Sequence, residues 1–497
     1  MSYFFTTPGV EVRERRLHSV ITYHGTAKDL YEKSLDRSHA PGDRSYSQCS
    51  CCMGSTASAV AHIKDVALVC HAPIGCDAGM FGLVLQARGS ALSRRQEPFD
   101  LHIISVNIQE KDTIFGATEK LKEAIREADR RFSPRAVMVT ASCASGIIGD
   151  DIESAAEEME AELGYPVAPV YCEGFKSKIW STGFDAAFHA ILRKLVKPPS
   201  QKQEDLINVF NFEGSDVFTP LLARMGLRVN YLTCLASLEQ LETISEAACS
   251  VSICETLSMY IAAALEEKYA VPEIKAPSPY GLNWTDAWLR AIGRALGREE
   301  AAEKLIAEEG ETWLEEIAAL RERLRGIRLY VITGDSFAHN LVNIGKSLGL
   351  EITGAAALHH DLRTDNPASV NTLNALIESG GDIPNFTVCN MQPYQVVKIL
   401  RKLKPDVMLC RHEGLTGIGS KLGIPSLFEG DANYSAGYAG VARMGRRILE
   451  ALQTKRLLEN VARHTELPYT DWWLAEEDPF YFEKDAEERR GNGGPEA

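Results

Sequence analysis

Five of the twelve cysteines in this 497-residue chain fall within one stretch, SQCSCCMGSTASAVAHIKDVALVCHAPIGCDAGM, from Ser47 to Met80. Cys49, Cys51 and Cys52 crowd together ahead of Gly54, Cys70 follows the apolar run VALV, and Cys76 closes HAPIGC. Thiolates are soft ligands that suit iron–sulfur clusters or zinc. A closed zinc site usually shows two short cysteine pairs; here one tight group faces more widely spaced cysteines across a long gap. Gly54 and Gly75 flank that gap and would let backbone approach a bulky inorganic core without a side-chain clash. Cys143, in VTASCASGIIGDDIE, ends an apolar run and precedes Gly146 and Gly149. A buried strand ending in a cysteine, then a glycine-rich turn and an acidic helix start, is a plausible ligand position. Cys254 ends the run SVSIC and opens ETLSMYIAAALEEKY. A helix N-terminus favours the thiolate, although a buried structural cysteine is the plainer reading on physics alone.

HAPIGC, ASCASGIIGDD and YCEGFKSK together resemble the α-type subunits of nitrogenase component 1 and its relatives. The resemblance implies a large iron–sulfur cluster at a subunit interface, held by three cysteines of each chain. Cys76 and Cys143 match two of these positions. Ser50 stands where the first is usually found, so Cys51 or Cys49 must serve, and Cys51 lies 25 residues before Cys76, close to the family spacing. The segment CETLSMYIAAALEEKYAVP resembles the one in which a cysteine ligates the catalytic metallocluster, which assigns that role to Cys254 and makes the chain α-type. Other features of a dinitrogen-reducing site are missing. PSLFEGDANYSAGYAG has no histidine where the family's second cofactor ligand stands; Glu429, Asp431 and Asn433 are the nearest metal-capable side chains, and carboxylates suit harder metals. Trp180 and Phe184 replace a glutamine and a histidine, Ser336 or Phe337 replaces a cofactor-packing arginine, and Glu255-Thr256 follows Cys254 where an arginine is expected. The pocket is therefore expected to be less cationic than a nitrogenase cofactor pocket.

Among the histidines, His71 belongs to the cluster motif and is expected beside it. His359 and His360 follow GAAAL, and Arg411 and His412 follow DVMLC, both at strand ends where ligand-facing loops occur. For each a surface or internally satisfied histidine is the plainer reading. Gly345-Lys346-Ser347 looks like the end of a P-loop, but Asn340 occupies the place of the first glycine and the motif falls inside an expected helix. GLTGIGSK has the wrong order, so ATP binding by this chain is not expected.

Strand-like and helix-like runs alternate along the chain, which implies parallel sheets with helices on both faces. The fold class is therefore α/β, and the resemblance implies three doubly wound (Rossmann-like) parallel-sheet domains. The expected boundaries are an N-terminal arm over 1–45, domain I with the interface-cluster cysteines over 46–200, domain II with Cys254 over 205–325, domain III over 326–465 and a tail over 466–497. A net charge of −15 argues against a nucleic-acid partner. No run approaches a membrane span and MSYFFTTPGVEVRERR has no apolar core of a leader, so a cytoplasmic location is expected. Cysteines in such a chain read as ligands and core residues rather than disulfides.

The resemblance leads to an α-type subunit that pairs with a homologous β-type subunit, as α₂β₂, and receives electrons from a separate ATP-hydrolysing iron–sulfur reductase. Within the family, the methylthio-alkane reductases, which cleave C–S bonds of small methylated sulfur compounds, are the first expectation. Trp180, Phe184 and Phe337 would suit a small apolar thioether. A cofactor-assembly scaffold and a dark-operative tetrapyrrole reductase-like subunit are the alternatives; Cys254 argues against the latter, which has no second metallocluster there.

Overall fold

The computed structural model of the protein describes residues 23–35, 45–46, 51–176, 180–211, 214–361, 370–388, 393–411, 413–429 and 435–480. Strands β1 (Tyr23–Gly25) and β2 (Ser45–Tyr46) precede the first sheet. That sheet contains β3 (Val66–His71), β4 (Ile103–Ser105), β5 (Ala136–Ala141) and β6 (Val167–Val170), all parallel, in the order 4-3-5-6. The second contains β7 (Gln203–Asn211), β8 (Arg228–Thr233) and β9 (Ala247–Ser252), parallel, in the order 8-7-9. The third is built from β10 (Arg328–Thr333), β11 (Glu351–Ala357), β13 (Phe386–Val388), β14 (Val407–Cys410) and β15 (Ser426–Phe428), again parallel. The short strand β12 (His360–Asp361) leaves this sheet to pair with β2.

The unbroken apolar runs of the sequence become strands because both faces of these sheets are covered. Along β3, Val66, Leu68 and Cys70 enter a large central core, while Ala67 and Val69 enter a separate outer one. The same alternation splits β10: Leu329 and Val331 face the central core, Tyr330 and Ile332 an outer one. The helix Thr118–Phe132 shows how the layers are sealed. Leu121, Ala124, Ile125 and Ala128 bury one stripe at helical spacing, and the helix stops where Ser133 turns left-handed at φ 45°.

The chain reverses direction across each sheet at its first strand. From β3 it goes to β4 on one side and β5 on the other; from β7 to β8 and then β9; from β10 to β11 and later β14. Ligands of open parallel sheets bind in the crevice that such a reversal leaves beyond the carboxyl ends of the strands. Cys76 and Cys143 follow β3 and β5, Cys254 follows β9, and Gly334 and Arg411 follow β10 and β14.

Two expectations need correction. The segment 1–45 is not simply an arm: β1 runs antiparallel to β13 as an edge strand of the third sheet, and the helix Ala27–Leu35 packs on the helix Thr372–Gly380. The tail is likewise part of that unit at its start, since Phe480 is buried in the outer core and its ring stacks on His24 at 4.2 Å. Apolar residues in these short stretches found a sheet edge to cover, which local pattern does not reveal. Among the described residues no helix is long and apolar enough to cross a membrane.

Candidate metal centres

Cys51 is the N-cap of the helix Cys52–Val60, Cys76 lies in the single helical turn Ile74–Asp77, and Cys143 is the first residue of the helix Cys143–Ile148. The last of these was expected to be a turn. A reciprocal cap between Ser142 and Ser145 starts a helix instead, and Gly149 at φ 78° closes it. The three thiols converge. A Cβ built on the buried Gly174 would lie 3.0 Å from Cys51 Sγ and 3.7 Å from Cys143 Sγ. The Cys76 thiol is pushed up first by burial, then by Asp77, Cys51 and Cys143, so charging one thiol opposes charging the others. Bound iron would reverse that balance and hold all three as thiolates. Among the described residues no three histidine, cysteine or carboxylate side chains close on a single ion position. Thiols brought to one place are soft ligands of the kind that iron–sulfur clusters take. Cys49 lies outside the described residues.

Glycine and histidine shape this centre. Gly146 lets Glu173 lie across the Cys143 helix, where a Cβ would meet its carboxylate at 3.0 Å. Buried His71 holds the Asp150 carboxylate at 2.8 Å through Nε2, and Asp150 also accepts from the Ala117 amide at 3.0 Å. Burial lowers the His71 pKa, opposed by Asp150. The pair thus ties the end of β3 to the turn after the helix Cys143–Ile148. Cys70 and Cys172 sit deeper, their thiols pushed far up by burial, and read as core residues. Around the thiols the surface is apolar: Phe115 is 85% exposed, Ile147 76% and Ile74 62%. Ile147 shares the helix face of Cys143, four residues on, and Ile74 shares the turn of Cys76.

Cys254 caps the helix Glu255–Tyr269 and is 6% exposed. Ser336 Oγ donates to its sulfur at 3.4 Å, so the first turn of the helix Asp335–Ser347, which follows β10, lies against it. Phe337 packs edge-on to Tyr280 and lies under the Arg411 guanidinium, 5.6 Å from the ring centre. Gly334 is hemmed in by His359 and Arg411, which a Cβ would approach to 2.9 and 3.6 Å. His359 in turn meets Trp180 edge-to-face at 5.2 Å, and Trp180 meets Phe184 at 5.5 Å. One run of contacts therefore leads from Cys254 to Trp180. Among the described residues, three buried polar groups on these segments have no hydrogen-bond partner: Trp180 Nε1, Thr333 Oγ1 and the whole Asn340 amide. Such groups are unstable without a ligand or water. A buried cysteine at a helix N-terminus suits one ligand of a bound cluster.

The expected residues fare unequally. Trp180 is half-buried, but Phe184 belongs to the central core and lines a small, mostly apolar void of about 10 Å³ with Phe188 and Phe210. That is room for at most one water. Glu429 is buried with each carboxylate oxygen held within the chain, one by Ser435 at 2.6 Å and the other by Arg447. Asp431, Asn433 and His412 lie outside the described residues. The backbone of His360 pairs with Tyr46 where β12 meets β2. Lys346 of the GKS triplet sits within the helix Asp335–Ser347 and donates to Gly381 O at 3.3 Å; burial lowers its pKa to about 8. Gly174, His359 and Arg411 are the residues whose part sequence reasoning underrated. Their signal was position after a strand, without anything local to show which crevice they enter.

The model of the family described as nitrogenase component 1 type oxidoreductase matches residues 50–453. The chain is 29% identical over 359 residues to the nitrogenase molybdenum-iron protein alpha chain of Methanosarcina barkeri, covering 70% of this chain and 66% of that one. It is 27% identical over 445 residues to the nitrogenase iron-molybdenum cofactor biosynthesis protein NifE of Methanococcus maripaludis, covering 86% of this chain and 88% of that one. The solved structure described as nitrogenase Cp1 at pH 5 superposes with a TM-score of 0.70 at 25% identity, over 87% of this chain and 92% of the other. Fold and the span of the match agree: the chain belongs to the nitrogenase component 1 type oxidoreductase family.

Proposed function

We propose that this chain is the catalytic α-type subunit of a nitrogenase-like reductase that cleaves C–S bonds of small methylthio compounds. Membership of the family implies iron–sulfur clusters, a homologous second subunit and a separate reductase component. Cys51, Cys76 and Cys143 would hold the cluster through which electrons enter, and the apolar rim of Ile74, Phe115 and Ile147 is where the β-type subunit would close over it in an α₂β₂ assembly. Cys254 would hold the second cluster, which when bound supplies low-potential electrons to the substrate. The reductase, not this chain, would hydrolyse ATP, in keeping with the helical setting of Lys346.

The observation that carries the substrate class is the aromatic contact run beside Cys254. Trp180 and the buried Phe337 set aromatic rings where the sequence lacks the polar groups of a dinitrogen site. Such surface receives a thioether methyl group by burial and excludes water, while Phe184 backs Trp180 from the core. Cytoplasmic residence follows from the need for a low-potential donor. The test is turnover by the purified αβ complex with its reductase, ATP and a panel of thioethers, with dinitrogen alongside. Thiol and hydrocarbon release from thioethers is the expected result; ammonia from dinitrogen with no thioether turnover would overturn it.

A cofactor-assembly scaffold is the second reading, favoured by the match to NifE over 88% of that protein's length and by the engagement of Glu429 elsewhere. Transfer of the second cluster to a cluster-free acceptor, without turnover of any thioether, would establish it instead.

A further inference from the structure

We infer that a cavity on the outer face of the third sheet, lined by no cysteine, binds a small apolar amino acid through its paired charges. The cavity has a volume of about 470 Å³, within the range of small-molecule sites. Its floor is the antiparallel pair of β1 and β13, where His24 stands directly opposite Thr387. Phe386 and Val388 enter the central core, so Thr387 between them points to the other face. One wall is the helix Pro393–Leu403, through Ile399, Lys402 and Leu403. The strap Glu477–Phe480 closes the other side. That strap is fastened to the unit at several points. Lys398, one turn before Lys402, donates to the Glu476 carbonyl and lies over the Trp473 ring at 4.9 Å. Asp478 Oδ1 accepts from the Phe480 amide at 3.0 Å, and the Phe480 ring stacks on His24 at 4.2 Å.

The polar groups on this lining call for a ligand with two charges. Thr387 is 3% exposed, and its hydroxyl has no hydrogen-bond partner among the described residues. A buried hydroxyl left in that state is costly until a ligand or water takes it up. Lys402 adds an exposed ammonium that no ion pair among the described residues engages. Hydroxyl and ammonium can both donate to a carboxylate. Glu477, however, brings an exposed carboxylate to the rim. It would repel a plain anion, as Lys402 would repel a plain cation. A zwitterion satisfies both, with its carboxylate toward Thr387 and Lys402 and its ammonium toward Glu477. Ile399, Leu403 and the stacked rings of His24 and Phe480 offer apolar surface to its side chain. Such a ligand touches the edge strand, the helix and the strap together, so binding should raise the melting temperature.

The experiment uses the full chain in its purified complex, with L-leucine and L-phenylalanine as probes. Calorimetric titration and melting temperature read the binding. N-acetyl-L-leucine, which lacks the ammonium, and L-leucinamide, which lacks the carboxylate, separate the two charges. Both amino acids should bind, and each analogue should bind about 10-fold or more weakly than leucine. Lys402→Gln should weaken leucine binding by a similar factor and leave leucinamide binding unchanged. Glu477→Gln should weaken leucine binding and leave N-acetyl-leucine binding unchanged. Thr387→Val removes a hydroxyl without a partner in the chain. Its ligand-free form should melt no lower than wild type while leucine binds about 2- to 10-fold more weakly. If Thr387→Val does not fold, Lys402→Gln, at an exposed position, still decides. No binding of either amino acid would overturn the inference. So would analogues that bind as tightly as leucine, or wild-type affinity in Lys402→Gln, which would place the bound molecule elsewhere.

Discussion

Gly174→Ala separates a bound cluster from a merely crowded trio of thiols. The added methyl would lie 3.0 Å from Cys51 Sγ, 3.6 Å from Cys51 Cα and 3.7 Å from Cys143 Sγ. Non-bonded carbon contacts are comfortable at about 3.5–4.0 Å, so the Cys51 sulfur is the atom that must yield. In the metal-free chain it is the free end of an exposed side chain and can rotate away. Alanine also reduces the freedom of the unfolded chain, a gain of about 0.4–1 kcal/mol where the backbone tolerates it, and Gly174 is not in the left-handed region. The apo variant should therefore melt within a degree or two of wild type, or slightly above. With iron bound, ligand distances are fixed to about 0.2 Å and the sulfur cannot yield. The overlap then costs what inserting a methyl into a packed core costs, about 1–3 kcal/mol. At about 1.4 kcal/mol per decade that is about 5- to 150-fold weaker cluster binding. Iron and sulfide retained after a timed chelator challenge, with calorimetric melts of both forms, would measure the difference. Unchanged retention would refute the placement of the cluster between Cys51 and Cys143; equal loss of stability in both forms would show that Gly174 serves packing only.

Cys76→Ala should remove the interface cluster and weaken subunit association, and Phe115→Asp should weaken association while leaving the thiols intact; sedimentation and iron counting on both distinguish the two effects. Cys254→Ala should abolish substrate reduction and the second cluster while the interface cluster keeps its iron, checked by Mössbauer spectroscopy. His189 and His62 are held below their ordinary pKa, chiefly by burial. The unfolded chain therefore binds more protons than the folded one as pH falls. Stability should be full above the ordinary histidine value of about 6.5 and decline below it, by at most about 1.4 kcal/mol per pH unit for each histidine. Denaturant titrations from pH 7.5 to 5, with His189→Gln flattening part of the slope, test this; a protein that gained stability on acidification would contradict it.

The sequence by itself carried the chemistry that resides in single residues and short segments. Soft side chains at Cys76, Cys143 and Cys254 are legible because each lies just beyond an apolar run that reads as a buried strand. The alternation of such runs with amphipathic helices dictates parallel sheets, since a strand apolar on every residue needs cover on both faces. What local pattern could not carry is which strand ends share a crevice. That depends on strand order, a property of the whole sheet: β14 lies beside β10 although 73 residues separate the end of one from the start of the other. Arg411 and His359 therefore looked like ordinary strand-end residues. Phe184 looked like pocket lining because its motif position is one, yet its side chain is spent on the central core. Glu429 looked like a free carboxylate until Arg447 and Ser435 were brought to it. Gly174 had no visible role at all, because the space it leaves empty is bounded by sulfurs 123 and 31 residues earlier in the chain. Bonding capacity is a property of residues, and so it can be read from sequence. Proximity is decided by packing of distant strands, and only the tertiary structure fixes it.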